Sequence, residues 1–267
     1  MTDDTDTGEA IVRCELALDL ARRAGGILRD GLGRATVEHK GPLELVTEFD
    51  RASERFIVER LTAALPDDGL LAEEGSRRPG THWLWHIDPL DGTTNYAHGL
   101  PHFAVSIAGE RDGVLEFGVV YDPMRDEMFR AVRGRGGFLD DRPLQVSAVA
   151  ALEESLLVTG FPYDLRQNPD NNLALFAHLA QRSLAVRRFG AATLDLAYVA
   201  AGRFDAYWEL RLASWDLAAG VVLVREAGGA VSRADGAADP LAPPPSIAAS
   251  NGLLHAQLLE ALRAGHE

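Results

Sequence analysis

Two aspartates, Asp88 and Asp91, flank Pro89 and Leu90 and lead into Gly92, Thr93 and Thr94. The apolar residues before them (Trp83, Leu84, Trp85, Ile87) read as a buried strand. An Asp-Pro-Leu-Asp-Gly turn is expected to end that strand, because proline donates no ladder hydrogen bond and glycine punctuates strands. Gly92 admits an unusual backbone angle, and Thr93 or Thr94 can cap a helix that starts there. Acidic oxygens bind a hard cation, and free N–H groups at a helix start bind an anion. The combination suits a metal-bridged phosphate. The same residues also make an ordinary turn with aspartates as caps, so the rest of the chain has to decide.

Four further carboxylates stand where elements begin or end. Glu73 and Glu74 follow the short apolar stretch 69–72; adjacent glutamates there are either a solvated turn or, after a hairpin-like or crossover return, neighbours of Asp88 and Asp91. Asp50 has capping-box spacing from Thr47, which leaves a helix cap and a catalytic role equally open. Asp216 opens a helical stretch and is by itself an N-terminal cap. Taken together, Glu73, Asp88, Asp91 and Asp216 form an oxygen-only donor set, which favours magnesium, manganese or calcium over zinc. Several carboxylates beside a phosphate cradle fit two-metal hydrolysis, with ions roughly 3.5–4 Å apart. The chain has no Gly-x-x-x-x-Gly-Lys-Ser/Thr loop, no Gly-x-Ser-x-Gly elbow and no His-Glu-x-x-His spacing among its 8 histidines.

Composition narrows the classes further. The 267 residues suffice for one large domain or two halves sharing a site. The formal charge of −14 argues against a chain built to grip nucleic acid or an anionic membrane. The single cysteine, Cys14, excludes an internal disulfide and a cysteine-based metal site, which points to a reducing cytoplasm. The acidic start MTDDTDTGE is neither a signal nor a transit peptide, and no apolar run approaches the ~20 residues that span a bilayer.

The elements that must position these residues follow from periodicity. Residues 1–8 are expected to be a disordered tail. Helical spacing over 9–32 gives a first helix (Val12, Leu16, Leu20, Ala24, Leu28), and 45–50 opens a second with a buried stripe of Ile57, Leu61 and Leu65. Between them 40–44 is turn-like. Three strands are predicted over 103–109, 115–121 and 127–132, so that 9–146 reads as helices plus an antiparallel sheet. The remainder, 147–267, alternates strand and helix: helices over 168–181, 190–201, 215–227 and 253–263, strands over 156–159, 183–189, 204–210 and 247–250. The glycine-rich 133–138 reads as a turn, and the two halves read as one catalytic unit.

The stretches IDPLDGTTNY (87–96) and WDLAAGVVLVREAGG (215–229) resemble the two signature segments of the inositol monophosphatase family. LVTEFD, AEEGS, LPHFAVSIA, VVYDPMRDEMF, TGFP and LDLAYVAAGRFDAYWE are similar to bacterial members, so the resemblance covers most of the chain. It implies an α/β (α+β) fold, a layered αβαβα sandwich assembled as a homodimer, and magnesium-dependent, lithium-sensitive hydrolysis of a phosphomonoester such as inositol 1-phosphate. Two or three Mg2+ ions are implied, with Mn2+ a possible substitute. By the same resemblance Glu73, Asp88, Asp91, Asp216 and the Leu90 carbonyl are metal ligands. Gly92 and Thr93 offer N–H groups to the phosphate, and Thr93, oriented by Asp50, polarises the attacking water while Glu73 holds it. Lys40 belongs to a flap over the site; Glu209, Asp216 and the backbone of Gly190, Ala191 and Ala192 receive the substrate's hydroxyls. Fructose 1,6-bisphosphate, histidinol phosphate and 3′-phosphonucleotides are the alternative substrates, and a regulatory module without turnover is the alternative of another class.

Overall fold

In the computed structural model, residues 4–41 and 43–265 are described. The chain opens with α1 (Asp4–Gly31), the short strands β1 (Val37–His39) and β2 (Leu45–Thr47), and α2 (Glu48–Ala64). Strands β3 (Gly69–Ala72), β4 (Arg77–Arg78) and β5 (Trp83–Asp91) lead to the five-residue helix α3 (Thr93–Ala97). Then come β6 (Ala104–Arg111), β7 (Val114–Asp122), β8 (Glu127–Val132), β9 (Gly137–Leu139) and β10 (Arg142–Pro143). The remainder runs β11 (Leu156–Thr159), α4 (Leu173–Ala180), β12 (Ala185–Arg187), α5 (Ala192–Ala200), β13 (Ala206–Leu210), α6 (Ser214–Glu226), β14 (Ala230–Ser232), β15 (Ser246–Ser250) and α7 (His255–Ala264).

Three apolar cores stack these elements into layers. In the first, Leu20, Ala24 and Leu28 of α1 and Ile57 and Leu61 of α2 meet Trp85, Ile87, Val105 and Val119 on one face of the large sheet. In the second, the opposite face (Ala104, Ala108, Val120) packs on α5 and α6, whose far sides meet Val158, Tyr207 and Ile247 of a second sheet. In the third, that sheet's outer residues Leu157, Trp208 and Ala248 pack against Leu175 and Leu179 of α4 and Leu258 and Leu262 of α7. The order is therefore helix, sheet, helix, sheet, helix, the αβαβα sandwich expected of the sequence. Each sheet is covered on both faces, which is why β5, β6 and β15 are buried along nearly their whole length rather than at alternate residues.

The large sheet has eight strands in the order β10-β9-β8-β7-β6-β5-β3-β4, and the second has five in the order β12-β11-β13-β15-β14. β3 runs parallel to β5, so the first sheet is mixed rather than purely antiparallel.

Several local expectations are corrected. The tail predicted over 1–8 is helical from Asp4 onward; residues 1–3 lie outside the described residues. Of the turn over 40–44, Pro42 also lies outside them; the rest closes the β1–β2 hairpin, with the Lys40 N–H donating to the Glu44 carbonyl at 3.0 Å. The helix predicted over 168–181 starts only at Leu173, because Asn172 before it is left-handed (φ 70°).

Candidate active site

β5 does not stop at Asp88. It continues through Pro89 to Asp91, against the expectation that the proline would end it. The register against β6 passes from Asp88↔Ser106 to Asp91↔Ala104, so β5 carries one extra residue there. That bulge leaves Pro89 with no ladder bond to make, and the Ser53 hydroxyl holds its carbonyl at 2.8 Å. The extra residue also changes parity. In a regular strand residues 88 and 91 face opposite sides; with the bulge both line one cavity. Gly92 follows at φ 91°, where an added Cβ would lie 3.0 Å from the His102 carbonyl. Gly92 itself is the N-cap of α3, so neither Thr93 nor Thr94 caps it. The Thr93 hydroxyl is instead free to reach Asp50 Oδ1 at 2.9 Å, with the Leu90 carbonyl at 3.0 Å.

Asp50 caps α2 with one oxygen and turns the other to Thr93. Oδ2 accepts from the Thr47 backbone (2.8 Å) and hydroxyl (2.5 Å), completing the capping box of α2, while Oδ1 faces Thr93. Burial raises the Asp50 carboxyl above its ordinary range against these hydrogen bonds.

Glu73 reaches the same place by the crossover. β3 pairs parallel to β5 with Ala72 opposite Ile87, and the Glu73 N–H donates to the Ile87 carbonyl at 3.2 Å, next to Asp88. The buried Glu54 on α2 fixes the turn beyond, accepting from the N–H groups of Glu74 (2.7 Å) and Ser76 (3.0 Å). Asp216 comes from the first turn of α6, where its Oδ2 accepts the Ala213 N–H at 2.7 Å. Asp91 is held from α5: the Thr193 N–H (2.8 Å) and hydroxyl (2.5 Å) both donate to its Oδ2.

These residues enclose a cavity of about 320 Å³, lined by Glu73, Asp88, Leu90, Asp91, Gly92, Thr93, Gly190, Ala191, Ala192, Glu209 and Asp216, with Tyr163 and Arg188 also on its walls. That volume is in the range of small-molecule sites. Two of the anticipated residues do not line it. Asp50 stands behind Thr93, and Lys40 comes from the side, 3.4 Å from Glu73 Oε1 and 2.5 Å from Glu74 Oε1. On the far wall, Glu209 of β13 accepts from the Tyr207 hydroxyl at 2.6 Å. Gly160 leaves it room, since an added Cβ would collide with its carboxylate.

The electrostatics are those of crowded buried acids. Burial pushes the Glu73 carboxyl up to about 7, with Lys40 opposing. Asp88 and Asp216 are driven well above their ordinary value by burial and by neighbouring carboxylates, and burial raises Asp91 against its bonds from Thr193. Glu209 is likewise pushed up to about 7 by burial. Lys40 is held above its ordinary value because Glu73 and Glu74 outweigh its desolvation. Among the described residues no three His, Cys, Asp or Glu side chains already close on one point; the acids ring the cavity instead. Each of Asp91 and Asp216 has one oxygen committed to backbone donors and one left over. Such a set, rich in hard oxygens and crowded with buried carboxyls whose proton affinity is raised, fits a divalent cation of the magnesium class.

Sequence reasoning missed the holders of these acids: Ser53, Glu54, Thr193 and Tyr207. Tyr207 and Glu209 share a strand face by their spacing, and that signal was available. Thr193 and Glu54 act across the fold, 102 and 20 residues from their partners, and carry no local signature.

Comparison with known proteins agrees with this fold. The model of the inositol monophosphatase family matches residues 12–267. An inositol-1-monophosphatase of Rhizobium meliloti is 49% identical over 207 residues, covering 77% of this chain and 78% of the relative. A protein of Pseudomonas aeruginosa named Nus factor SuhB is 50% identical over 226 residues, covering 81% and 83%. The solved inositol monophosphatase of Anabaena (Nostoc) superimposes with a TM-score of 0.86 at 44% identity, covering 95% of this chain and 96% of that one.

Proposed function

Because the chain belongs to the inositol monophosphatase family, we propose that it is a magnesium-dependent phosphomonoesterase that hydrolyses inositol 1-phosphate or a similar polyol phosphate to the alcohol and phosphate. The observation that carries this reading is the Thr93–Asp50 hydrogen bond at the edge of an acidic cavity whose far wall is Glu209.

Glu73, Asp88, Asp91, Asp216 and the Leu90 carbonyl would hold two or three magnesium ions, or manganese in their place. When bound, the metal supplies a lowered pKa for water and positive charge for the phosphoryl oxygens and the leaving alkoxide. The chain's own residues do the rest. Thr93 donates its proton to Asp50 Oδ1, which leaves its oxygen lone pairs to accept a proton from water. Asp50, raised by burial, takes the proton on. Glu73 is adjacent to orient the same water. The N–H groups of Gly92 and Thr93 receive phosphate oxygens. Glu209, once ionised, accepts two hydroxyl hydrogens of a polyol, and the Tyr207 hydroxyl fixes its second oxygen. Since β5 and α6 both contribute, residues 9–146 and 147–267 act as one catalytic unit. We also propose lithium sensitivity, assembly as a homodimer, no nucleic-acid or membrane partner for the catalytic activity, and a cytoplasmic location, the last resting on the single buried cysteine. No helix of the described residues is long and apolar enough to cross a membrane.

The test is phosphate release from inositol 1-phosphate, fructose 1,6-bisphosphate, histidinol phosphate and 3′-phosphoadenosine 5′-phosphate, each with magnesium, with EDTA, and with magnesium plus lithium. Magnesium-dependent turnover led by inositol 1-phosphate supports the reading. A lead by another substrate keeps the chemistry and overturns the role given to Glu209. The similarity to a protein named Nus factor SuhB favours one second reading, a regulatory role independent of turnover. An Asp88→Asn chain that releases no phosphate yet restores the phenotype of a deletion strain would favour that role.

A further inference from the structure

One buried polar chain is not used by the chemistry above. His86 is 3% exposed and lies on β5 two residues before Asp88, on the same face. Its Nδ1 is 2.9 Å from the Ser214 hydroxyl, and its Nε2 is 3.0 Å from Glu110 Oε2. Glu110 sits on β6 opposite Leu84, diagonal to His86 on the same face. Glu110 is a carboxylate acceptor, so the Nε2–H donates to it and leaves Nδ1 to pair with the Ser214 hydroxyl. Ser214 is the first residue of α6, the helix that carries Asp216.

We propose that the Ser214–His86–Glu110 chain is a positioning device that sets Asp216 against Asp88, and that His86 and Ser214 thereby tune metal affinity. The inference rests on the metal-dependent reading above.

Asp216 is bound into the first turn of α6, because its own carboxylate accepts the Ala213 N–H at 2.7 Å. That turn is the loosely packed part of the helix: 213–216 are half-buried, while 217–224 are fully buried. The middle of α6 is keyed to its neighbours by close approaches, Gly220 on Leu196 and Ala219 on Gly118. The first turn has the His86 bond and the Arg77 guanidinium, 5.8 Å over the Trp215 ring. Across from this turn, Asp88 on β5 lines the same cavity wall as Asp216 and Glu73. Without the bond from His86, the first turn loses that tie to β5 and is free to shift against it. Asp88 stays on the sheet, and the two acids no longer meet one cation at the right separation. Outer groups that orient metal ligands typically change affinity 10–100-fold.

The measurement is Mn2+ binding by the full chain, with free Mn2+ counted by electron paramagnetic resonance, and kcat at saturating magnesium measured alongside. Ser214→Ala and His86→Ala should each weaken Mn2+ binding about tenfold, with kcat at saturating metal within about twofold of wild type. The double variant should be no weaker than the weaker single, since both break one linkage. His86→Asn, which can still accept from Ser214, should recover most of the loss. Ser214→Ala removes only a hydroxyl from a half-buried position, so it keeps the test alive if His86→Ala does not fold. Unchanged Mn2+ binding in a folded Ser214→Ala, or losses that add in the double variant, would overturn the proposal while leaving the phosphatase reading intact. A wild-type chain that neither binds Mn2+ nor releases phosphate would overturn both.

Discussion

Replacing Glu209 with glutamine should make the protein more stable and a poorer enzyme for polyol phosphates. In the fold burial pushes the Glu209 carboxyl up to about 7 against an ordinary value of 4.5. The folded state therefore binds its proton more tightly than the unfolded chain does. The stability this contributes is fully present below pH 4.5, declines as pH rises, and is gone above pH 7. At about 1.4 kcal/mol for each tenfold in proton affinity, holding Glu209 ionised at pH 8 costs ~3 kcal/mol. Glutamine keeps the volume and an oxygen for the Tyr207 hydroxyl but never takes the charge.

The assay is thermal unfolding of wild type and Glu209→Gln in EDTA at pH 5 and pH 8. The histidines His102 and His255, held below their usual value by burial, work in the opposite direction, so the difference between the two proteins is the quantity to read. At pH 5 the two should unfold together within a few degrees. At pH 8 the variant should be higher by roughly 6–12 °C, taking about 2–4 °C per kcal/mol for a chain of this size. Its KM for inositol 1-phosphate should rise about tenfold, since one charge-assisted acceptor is lost. A variant that is less stable than wild type at pH 8, or a difference that does not change with pH, would refute the reasoning: Glu209 would then be paired well enough to be ionised without cost.

Three further outcomes follow from the same site. Magnesium should raise the unfolding temperature more at pH 8 than at pH 5.5, because Glu73 titrates near 7 and must lose its proton to bind a cation; calorimetry at both values checks this, and an equal shift would refute it. Asp88→Asn should lower phosphate release by at least ~10²-fold while leaving the metal-free fold as stable or more so, measured by phosphate assay and unfolding in EDTA. Thr93→Val should lower kcat ~10²-fold with KM within about twofold, because it removes the hydroxyl bonded to Asp50 that the proposed proton path runs through; a purely KM effect in steady-state kinetics would remove Thr93 from that path.

What could be read from the chain depended on how local the cause was. The strand runs, the capping box of α2 and the acidic residues at element ends follow from neighbours in sequence, and the layered fold came with the resemblance. The misreading at Pro89 was of another kind. Proline does break a ladder, and the inference that β5 ends at Asp88 was sound for a strand of unbroken register. A bulge is invisible to periodicity, because it is defined by the partner strand, and here it lets the chain pass the proline and turns Asp91 to the side of Asp88. The hydrogen bonds of Thr193 to Asp91, Glu54 to the 73–76 turn and His86 to Ser214 were out of reach for the same reason: each joins elements distant along the chain.

Asp50 shows why a local reading and a chemical one need not compete. A carboxylate has two oxygens, and capping occupies one. The Thr47 backbone and hydroxyl fix Oδ2, and with it the plane of the group, so that Oδ1 is held toward Thr93 without any further support. The same economy recurs at Asp216, whose Oδ2 takes the Ala213 N–H, and at Asp91, whose Oδ2 takes Thr193 at the start of α5. In each case a helix start orients an acid by binding half of it and leaves the other half for the site. Aspartates at helix starts are thus weak evidence of chemistry one at a time. Three of them whose free oxygens belong to one cavity or its backing are strong evidence, because helix capping alone gives no reason for three separate helices to begin at the same place.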